Sequence, residues 1–286
     1  MTVRAGELLD RMTAVFREHG VEAPEAEAVA MLAELRCVNR AAARLERDAV
    51  LDDAQRQRGL DALERRLRGE PWQYIFGSAY FRDLELAVTP AVLIPRPETE
   101  LLAQNCIDTL PPHGAVLDLG TGSGAIALAV ATERPDSVVT ACDVSPEALA
   151  VARRNGERIA LGRVEFLHSD LFAALGGRRF DWIAANLPYV AENEYAALDP
   201  TVRDYEPKLA LTAGADGLDL IRRAVGEAWQ FLTPAGKIML ELAPEQALTV
   251  AGMLASLLRY CAIEIVRDFA GRDRFVAARV RVPRQL

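Results

Sequence analysis

One segment constrains this chain more than any other: Val116-Leu117-Asp118-Leu119-Gly120-Thr121-Gly122-Ser123-Gly124-Ala125-Ile126-Ala127. An aliphatic run, three alternating glycines and a start rich in small residues read as a strand, a sharp turn and a helix. Glycine has no Cβ, so such a turn bends tightly and lets a ligand come close to the backbone. Strand, ligand-binding turn and helix together open an α/β fold. A second acid, Asp143, closes the next apolar run, about twenty residues further on, where a carboxylate can accept hydrogen bonds from both ribose hydroxyls. The pair points to an adenosine-containing ligand.

The rest of the chain agrees with that opening. Apolar runs at 115–119, 138–142, 164–167, 180–185, 237–242, 262–266 and 275–280 alternate with helical stretches. This predicts a doubly wound, mostly parallel seven-stranded sheet with helices on both faces. Residues 267–274 are too few for a crossover helix, so the last two strands should be antiparallel. Residues 1–70 carry only helical periodicity: Leu8, Met12, Val15 and Phe16 share a face, Gly20 stops that helix, Pro24 opens another, and Leu60, Leu63 and Leu67 repeat up to Gly69. A small N-terminal helical domain is expected there. Over residues 71–94, Trp72-Gln73-Tyr74-Ile75-Phe76 and Tyr80-Phe81, with Gly77-Ser78 between them, read as a β-hairpin linker. Residues 95–286 then form the α/β domain.

Composition narrows the function. Hydrophobic residues at 51% and charged residues at 26% exclude disordered, collagen-like and coiled-coil chains. The formal charge is −8, and the only lysines are Lys208 and Lys237, so a generic nucleic-acid binder is disfavoured and no direct nucleic-acid partner is expected. Cys37, Cys106, Cys142 and Cys261 form no Cys-x-x-Cys pair, and His19, His113 and His168 add no ligand-spaced cluster, so no metal site is expected. No apolar run nears the ~18 residues that span a bilayer, and the N-terminal residues are charged, so the expectation is a cytoplasmic protein with no membrane partner.

The glycine spacing separates two ligand classes. Dinucleotide folds use Gly-x-Gly-x-x-Gly to seat a pyrophosphate on a helix N-terminus, whereas this chain has Asp-x-Gly-x-Gly-x-Gly. The tighter form resembles the S-adenosyl-L-methionine loop of class I methyltransferases. That resemblance makes Gly120, Thr121, Gly122, Ser123, Gly124 and Asp143 the expected cofactor residues, joined by Asp170 and Leu171 at the next strand end and by Asn186. Strand 180–185 runs into Asn186-Leu187-Pro188-Tyr189, and the carboxyl ends of strands in open α/β sheets form the ligand crevice. Asn-x-Pro-Tyr resembles the signature of enzymes that methylate a planar nitrogen, either the exocyclic amine of adenine or the side-chain amide of glutamine. The four residues are therefore the catalytic candidates: Asn186 Oδ1 and the Leu187 carbonyl would accept the two N–H hydrogens, Pro188 would stiffen the loop, and Tyr189 would pack on the substrate plane.

Other motifs separate the two substrates. Pro71-Trp72-Gln73-Tyr74-Ile75-Phe76-Gly77, Val92-Leu93-Ile94-Pro95-Arg96-Pro97-Glu98-Thr99-Glu100, Tyr205-Glu206-Pro207-x-x-Ala210-Leu211 and Gly214-x-Asp216-Gly217-Leu218 are similar to those of the release-factor glutamine methyltransferases, the HemK/PrmC family. The similarity covers essentially the whole chain. It implies an enzyme that uses S-adenosyl-L-methionine to methylate N5 of the glutamine in the Gly-Gly-Gln loop of class 1 peptide-chain release factors, and a monomer is expected. Two departures stand out: the family's clamp is usually Asn-Pro-Pro-Tyr, but position 187 is leucine, and an aromatic common after the Asp170 position is here Leu171. Two other readings stay open: an adenine-N6 methyltransferase acting on DNA or RNA, and a noncatalytic scaffold that binds release factor. Arg96, Glu98 and Glu206 are either site residues or packing and capping groups, and His168 is expected to be structural.

Overall fold

The structure, a computed structural model, describes residues 3–160 and 162–282, and its contacts divide the chain after Phe76. The first unit contains the helices α1 (Ala5–Glu18), α2 (Pro24–Arg36), α3 (Arg40–Leu45), α4 (Asp53–Leu67) and α5 (Trp72–Phe76), with a two-residue antiparallel pair of β1 (Val3–Arg4) and β2 (Val50–Leu51). Helical spacing puts Leu8, Leu9, Met12 and Phe16 on one buried face of α1, where they meet Met31, Leu32 and Leu35 of α2 and Leu63 of α4. Pro24 opens α2 as its missing N–H allows, and Asp52 caps α4 by accepting from Gln55 N–H at 2.6 Å.

Residues 72–76 correct the sequence reading. They form a helical turn and not the first strand of a hairpin. The Pro71 carbonyl accepts from Tyr74 N–H at 3.0 Å and Ile75 N–H at 3.1 Å, and the Arg65 guanidinium closes the turn on the carbonyls of Tyr74 and Ile75. Trp72 stacks on Phe76, and both pack on the helical core. The aromatic, β-favouring composition yields to a local cap at each end.

The second unit begins with the antiparallel hairpin β3 (Ser78–Phe81) and β4 (Leu84–Ala87). There follow α6 (Thr99–Thr109), β5 (Ala115–Leu119), α7 (Ala125–Glu133), β6 (Val138–Asp143), α8 (Pro146–Ile159), β7 (Val164–His168), β8 (Phe180–Ala185), α9 (Pro200–Arg203), α10 (Asp219–Glu227), β9 (Leu232–Glu241), α11 (Ala247–Ser256), β10 (Tyr260–Arg267) and β11 (Asp273–Val280). Seven of these strands form one sheet in the order β10-β11-β9-β8-β5-β6-β7, parallel from β9 to β7 and antiparallel at β11 and β10. Strand alternation divides the core into two layers. Leu117, Ile183 and Ile238 face Ile221 and Val225 of α10 and Val250 and Leu254 of α11, while Val116, Trp182 and Met239 face Leu102 of α6, Leu128 of α7 and the hairpin residues Phe81 and Leu86. Among the described residues no helix is long and apolar enough to cross a membrane.

Candidate active site

Strand order reverses between β5 and β8, and the crevice beyond the carboxyl ends at such a switch point is where open α/β sheets bind ligands. A cavity of about 510 Å³ lies there, within the ordinary range for small-ligand pockets of roughly 300–1,000 Å³. Of the expected residues, Gly120, Thr121, Gly122, Ser123, Asp143, Asp170, Leu171, Asn186, Leu187 and Pro188 line it. Gly124 and Tyr189 do not belong to that lining.

The glycine turn is held from below and from the side. Asp118, fully buried, accepts from Thr121 Oγ1 at 2.6 Å and from Ala127 N–H at 3.1 Å, so one carboxylate ties the turn to the first turn of α7. Burial pushes the Asp118 carboxyl up to about 6, against those two hydrogen bonds. Cys142 carbonyl receives the N–H groups of both Gly120 and Thr121 at 2.9 Å. Asn155 of α8, also fully buried, donates to the carbonyls of Ser123 and Ala87, and so links the turn to β4. Gly120 has φ +78°, and a Cβ there would stand 2.9 Å from Leu187 Cδ2. The leucine that departs from the family clamp therefore packs against the space that a glycine leaves. Asp143 is already oriented: its Oδ2 accepts from Gly122 N–H and its Oδ1 from Ser145 N–H, both at 2.9 Å. Each oxygen keeps a lone pair for a further donor.

Asp170 borders the cavity but pairs with Arg223 at 2.9 Å on a half-exposed surface. Leu171, at φ +46°, is buried with the sheet core. His168 rests its Nε2 2.9 Å from the Val144 carbonyl, a local structural contact. Cys142 also lines the cavity, yet burial pushes its thiol up to about 12, which leaves no thiolate at neutral pH.

The Asn-Leu-Pro-Tyr loop is held by distant residues. Asn186 Nδ2 donates to Thr99 Oγ1 at 3.1 Å, and Thr99 Oγ1 donates to Glu241 Oε2 at 2.8 Å. No described residue donates to Asn186 Oδ1. Tyr189 is partly buried against the sheet core, its carbonyl accepts from Gln246 Nε2 at 2.9 Å, and a Cβ on Gly217 would come within 2.1 Å of that oxygen. Beyond it, Val190 N–H reaches the Leu211 carbonyl at 2.9 Å and the Val190 carbonyl receives Ala213 N–H at 3.0 Å. Buried Glu206 bonds Arg96 at 2.5 Å and Ile94 N–H at 3.1 Å, which ties the segment after the clamp to the one before α6. Arg96 lines the cavity, whereas Glu98 turns to Arg272 at 3.0 Å. Thr99, Asn155 and Glu241 were not singled out on sequence grounds, and Asp118 entered only as the first residue of the glycine motif. The only available signal for Glu241 was a carboxylate inside the apolar run 237–242.

This strand order, with a glycine turn after the first strand of the parallel set and an acid at the end of the second, defines a class I methyltransferase. Residues 7–77 match the PrmC N-terminal domain family, and residues 97–204 match the methyltransferase small domain family. A protein of Geobacter sulfurreducens named release factor glutamine methyltransferase is 39% identical over 96% of this chain and 95% of its own length. One of Gloeobacter violaceus with the same name is 46% identical over 78% of this chain and 80% of its own. The chain belongs to the release factor glutamine methyltransferase family. A solved 16S rRNA N2 G1207 methyltransferase of T. thermophilus, in complex with AdoMet and guanosine, is 23% identical, covers 71% of this chain and 50% of that chain, and superposes with a TM-score of 0.54, a likeness of fold.

Proposed function

We propose that this chain transfers a methyl group from S-adenosyl-L-methionine to the side-chain amide nitrogen, N5, of the glutamine in the Gly-Gly-Gln loop of class 1 peptide-chain release factors. The observation that carries the reading is the meeting, in one cavity, of the glycine turn and Asp143 with an asparagine whose Oδ1 is open to a donor.

The cavity residues fit the cofactor. Asp143 offers two oriented lone pairs to the ribose hydroxyls, Gly122 leaves open space where a Cβ would stand, and Val144, Leu171 and Leu220 give an apolar wall suited to a purine. Asp170 offers an acceptor for the adenine amino group. When bound, the cofactor supplies a methyl carbon already activated by its sulfonium.

An amide nitrogen is a poor nucleophile because its lone pair is delocalised into the carbonyl. Asn186 Oδ1 and the Leu187 carbonyl accept its two hydrogens and so favour a pyramidal nitrogen whose lone pair is localised. Pro188 holds the loop, and Tyr189, packed behind it on the sheet core and kept neutral because burial pushes its phenol up to about 12, backs the loop and is not a base. No base is needed before transfer, since the N–H becomes acidic only as the methyl arrives. Alignment is the main task, and aligned reactants gain up to roughly 7–11 kcal/mol. The helical unit, with its own core, supplies the contact area by which intact release factor is recognised, because the clamp alone meets any surface glutamine equally well.

Incubation with methyl-labelled cofactor and either release factor or nucleic acid tests the reading. Label in the release factor is expected; label in DNA or RNA alone would instead favour an adenine-N6 methyltransferase.

A further inference from the structure

Asn186 has a polarity problem that its own loop does not solve. A carboxamide carries a donor and an acceptor on two arms of nearly equal shape, and a half-turn about its last bond exchanges them. Only one setting suits a substrate nitrogen that presents hydrogens; the other brings two NH2 groups together. A group on the opposite arm must make the choice, and that group is the Thr99 hydroxyl, 3.1 Å from Nδ2.

A hydroxyl has a single hydrogen. Thr99 spends it on Glu241 Oε2 at 2.8 Å, and an ionised carboxylate can only accept. The threonine oxygen is then left as an acceptor, so Asn186 must turn its NH2 toward it and its Oδ1 away. Thr99 is 5% exposed and Glu241 2%, so bulk water does not compete for either group. The local chain gives Thr99 a free hand: Glu98 holds the N-cap position of α6, and the Thr99 hydroxyl leaves its helix for the end of β9. Three elements meet here, the start of α6, the end of β8 and the end of β9, and the last two are neighbours in the sheet.

We propose that Thr99 and Glu241 form a positioning relay that sets the Asn186 amide with its oxygen toward the substrate, a role that rests on the glutamine-methylation reading above. Glu241 does not line the cavity and Thr99 does, but both act through Asn186 and not on the reacting atoms. The relay makes the clamp selective for a nitrogen that still bears hydrogens. It also explains why a carboxylate is retained inside an otherwise apolar strand end.

Four full-length proteins test it: wild type, Thr99→Val, Thr99→Ser and Glu241→Gln, each measured for kcat and KM with intact release factor and for cofactor Kd by calorimetry. Thr99→Val keeps the shape and removes the hydroxyl. It should lower kcat by roughly tenfold to a hundredfold, the size of effect seen when a hydrogen-bonding support behind a functional ligand is removed, with KM and cofactor Kd changed by no more than about twofold. Thr99→Ser should restore most of the rate. Glu241→Gln replaces an acceptor with a group that can also donate, so Thr99 is free to point its hydrogen at Asn186, and kcat should again fall with Kd unchanged. A wild-type rate in Thr99→Val or in Glu241→Gln, an equal loss in Thr99→Ser and Thr99→Val, or a loss seated in cofactor Kd would overturn the relay. Should Thr99→Val fail to fold, the serine and glutamine variants decide. Wild type that leaves release factor unmethylated overturns the functional reading and the relay with it, whereas active wild type with insensitive variants overturns the relay alone.

Discussion

The two walls of the cavity draw their supports from different distances along the chain. On the cofactor wall, backbone groups face the ligand and their supports lie close in sequence: Gly120, Thr121 and Gly122 are fixed by the Asp118 carboxylate, the Cys142 carbonyl and the Asp143 carboxylate. On the substrate wall, Asn186 to Pro188 and the Tyr189 that backs them are held by side chains and segments from far along the chain: Thr99 before, and Gly217, Glu241 and Gln246 after. Because the two walls rest on different supports, a substitution can disturb one and spare the other. Cofactor affinity and turnover should therefore separate under mutation.

The sharpest separation is expected at Asn186→Ala. Loss of one transition-state hydrogen bond costs about 2.7–4 kcal/mol, or a hundredfold to a thousandfold in kcat, while calorimetric cofactor affinity stays near wild type. Near-normal turnover would remove the clamp from the account.

Next in size is removal of the helical unit. A chain beginning at Gly77 keeps the sheet, the hairpin and every cavity residue, so it should bind cofactor normally. Its rate on intact release factor should fall on the order of a hundredfold, the effect of poor substrate placement, and a short Gly-Gly-Gln peptide should be a poor substrate for both forms. Full activity on intact release factor would refute a recognition role for this unit.

Asp143→Ala should act on the other wall. Two charge-assisted hydrogen bonds are lost, and cofactor binding should weaken by roughly 1.5–3 kcal/mol, read as Kd by calorimetry. Unchanged affinity would mean that the ribose is held elsewhere.

The smallest effect is a pH slope. Burial pushes the Glu241 carboxyl up to about 7, opposed by the hydrogen bond from Thr99 and the charges of Arg274 and Arg96, with Glu98 adding repulsion and the neutral Tyr189 phenol also facing it. Because the folded state holds this proton more tightly than the unfolded chain, the stability it contributes is full below the ordinary carboxylate range and is lost as pH rises through about 7. The relay needs the ionised form, so kcat should rise over the same interval. Opposite trends in melting temperature and kcat are the expected signature, with the kcat trend flattened in Glu241→Gln and the melting trend reduced to the share that Asp118, also raised by burial, supplies; parallel trends would contradict it.

Legibility in the sequence follows the same division. The parallel sheet, the antiparallel end pair and the glycine turn were readable, because alternation, strand spacing and positive-φ glycines are local signals. So was the position of Asn186, at a strand's carboxyl end. Trp72–Phe76 misled because its composition favours a strand, while the caps from Pro71 and Arg65 that make it a helix are contextual. Thr99 and Glu241 lie 142 residues apart, and no periodicity or motif spacing predicts that pairing. Asn155 looks like any polar residue on an amphipathic helix until α8 is laid against the hairpin. The unusual Leu187 is legible only once its side chain is seen to fill the space at Gly120.

Site-resolved mass spectrometry of a class 1 release factor, after incubation with S-adenosyl-L-methionine and either wild type or Asn186→Ala, reads out whether this cavity methylates the glutamine amide through Asn186. One added methyl on the side-chain amide of the Gly-Gly-Gln glutamine is expected with wild type, and little or none with the variant. Methyl groups on other residues, no modification by wild type, or equal methylation by both proteins would contradict it.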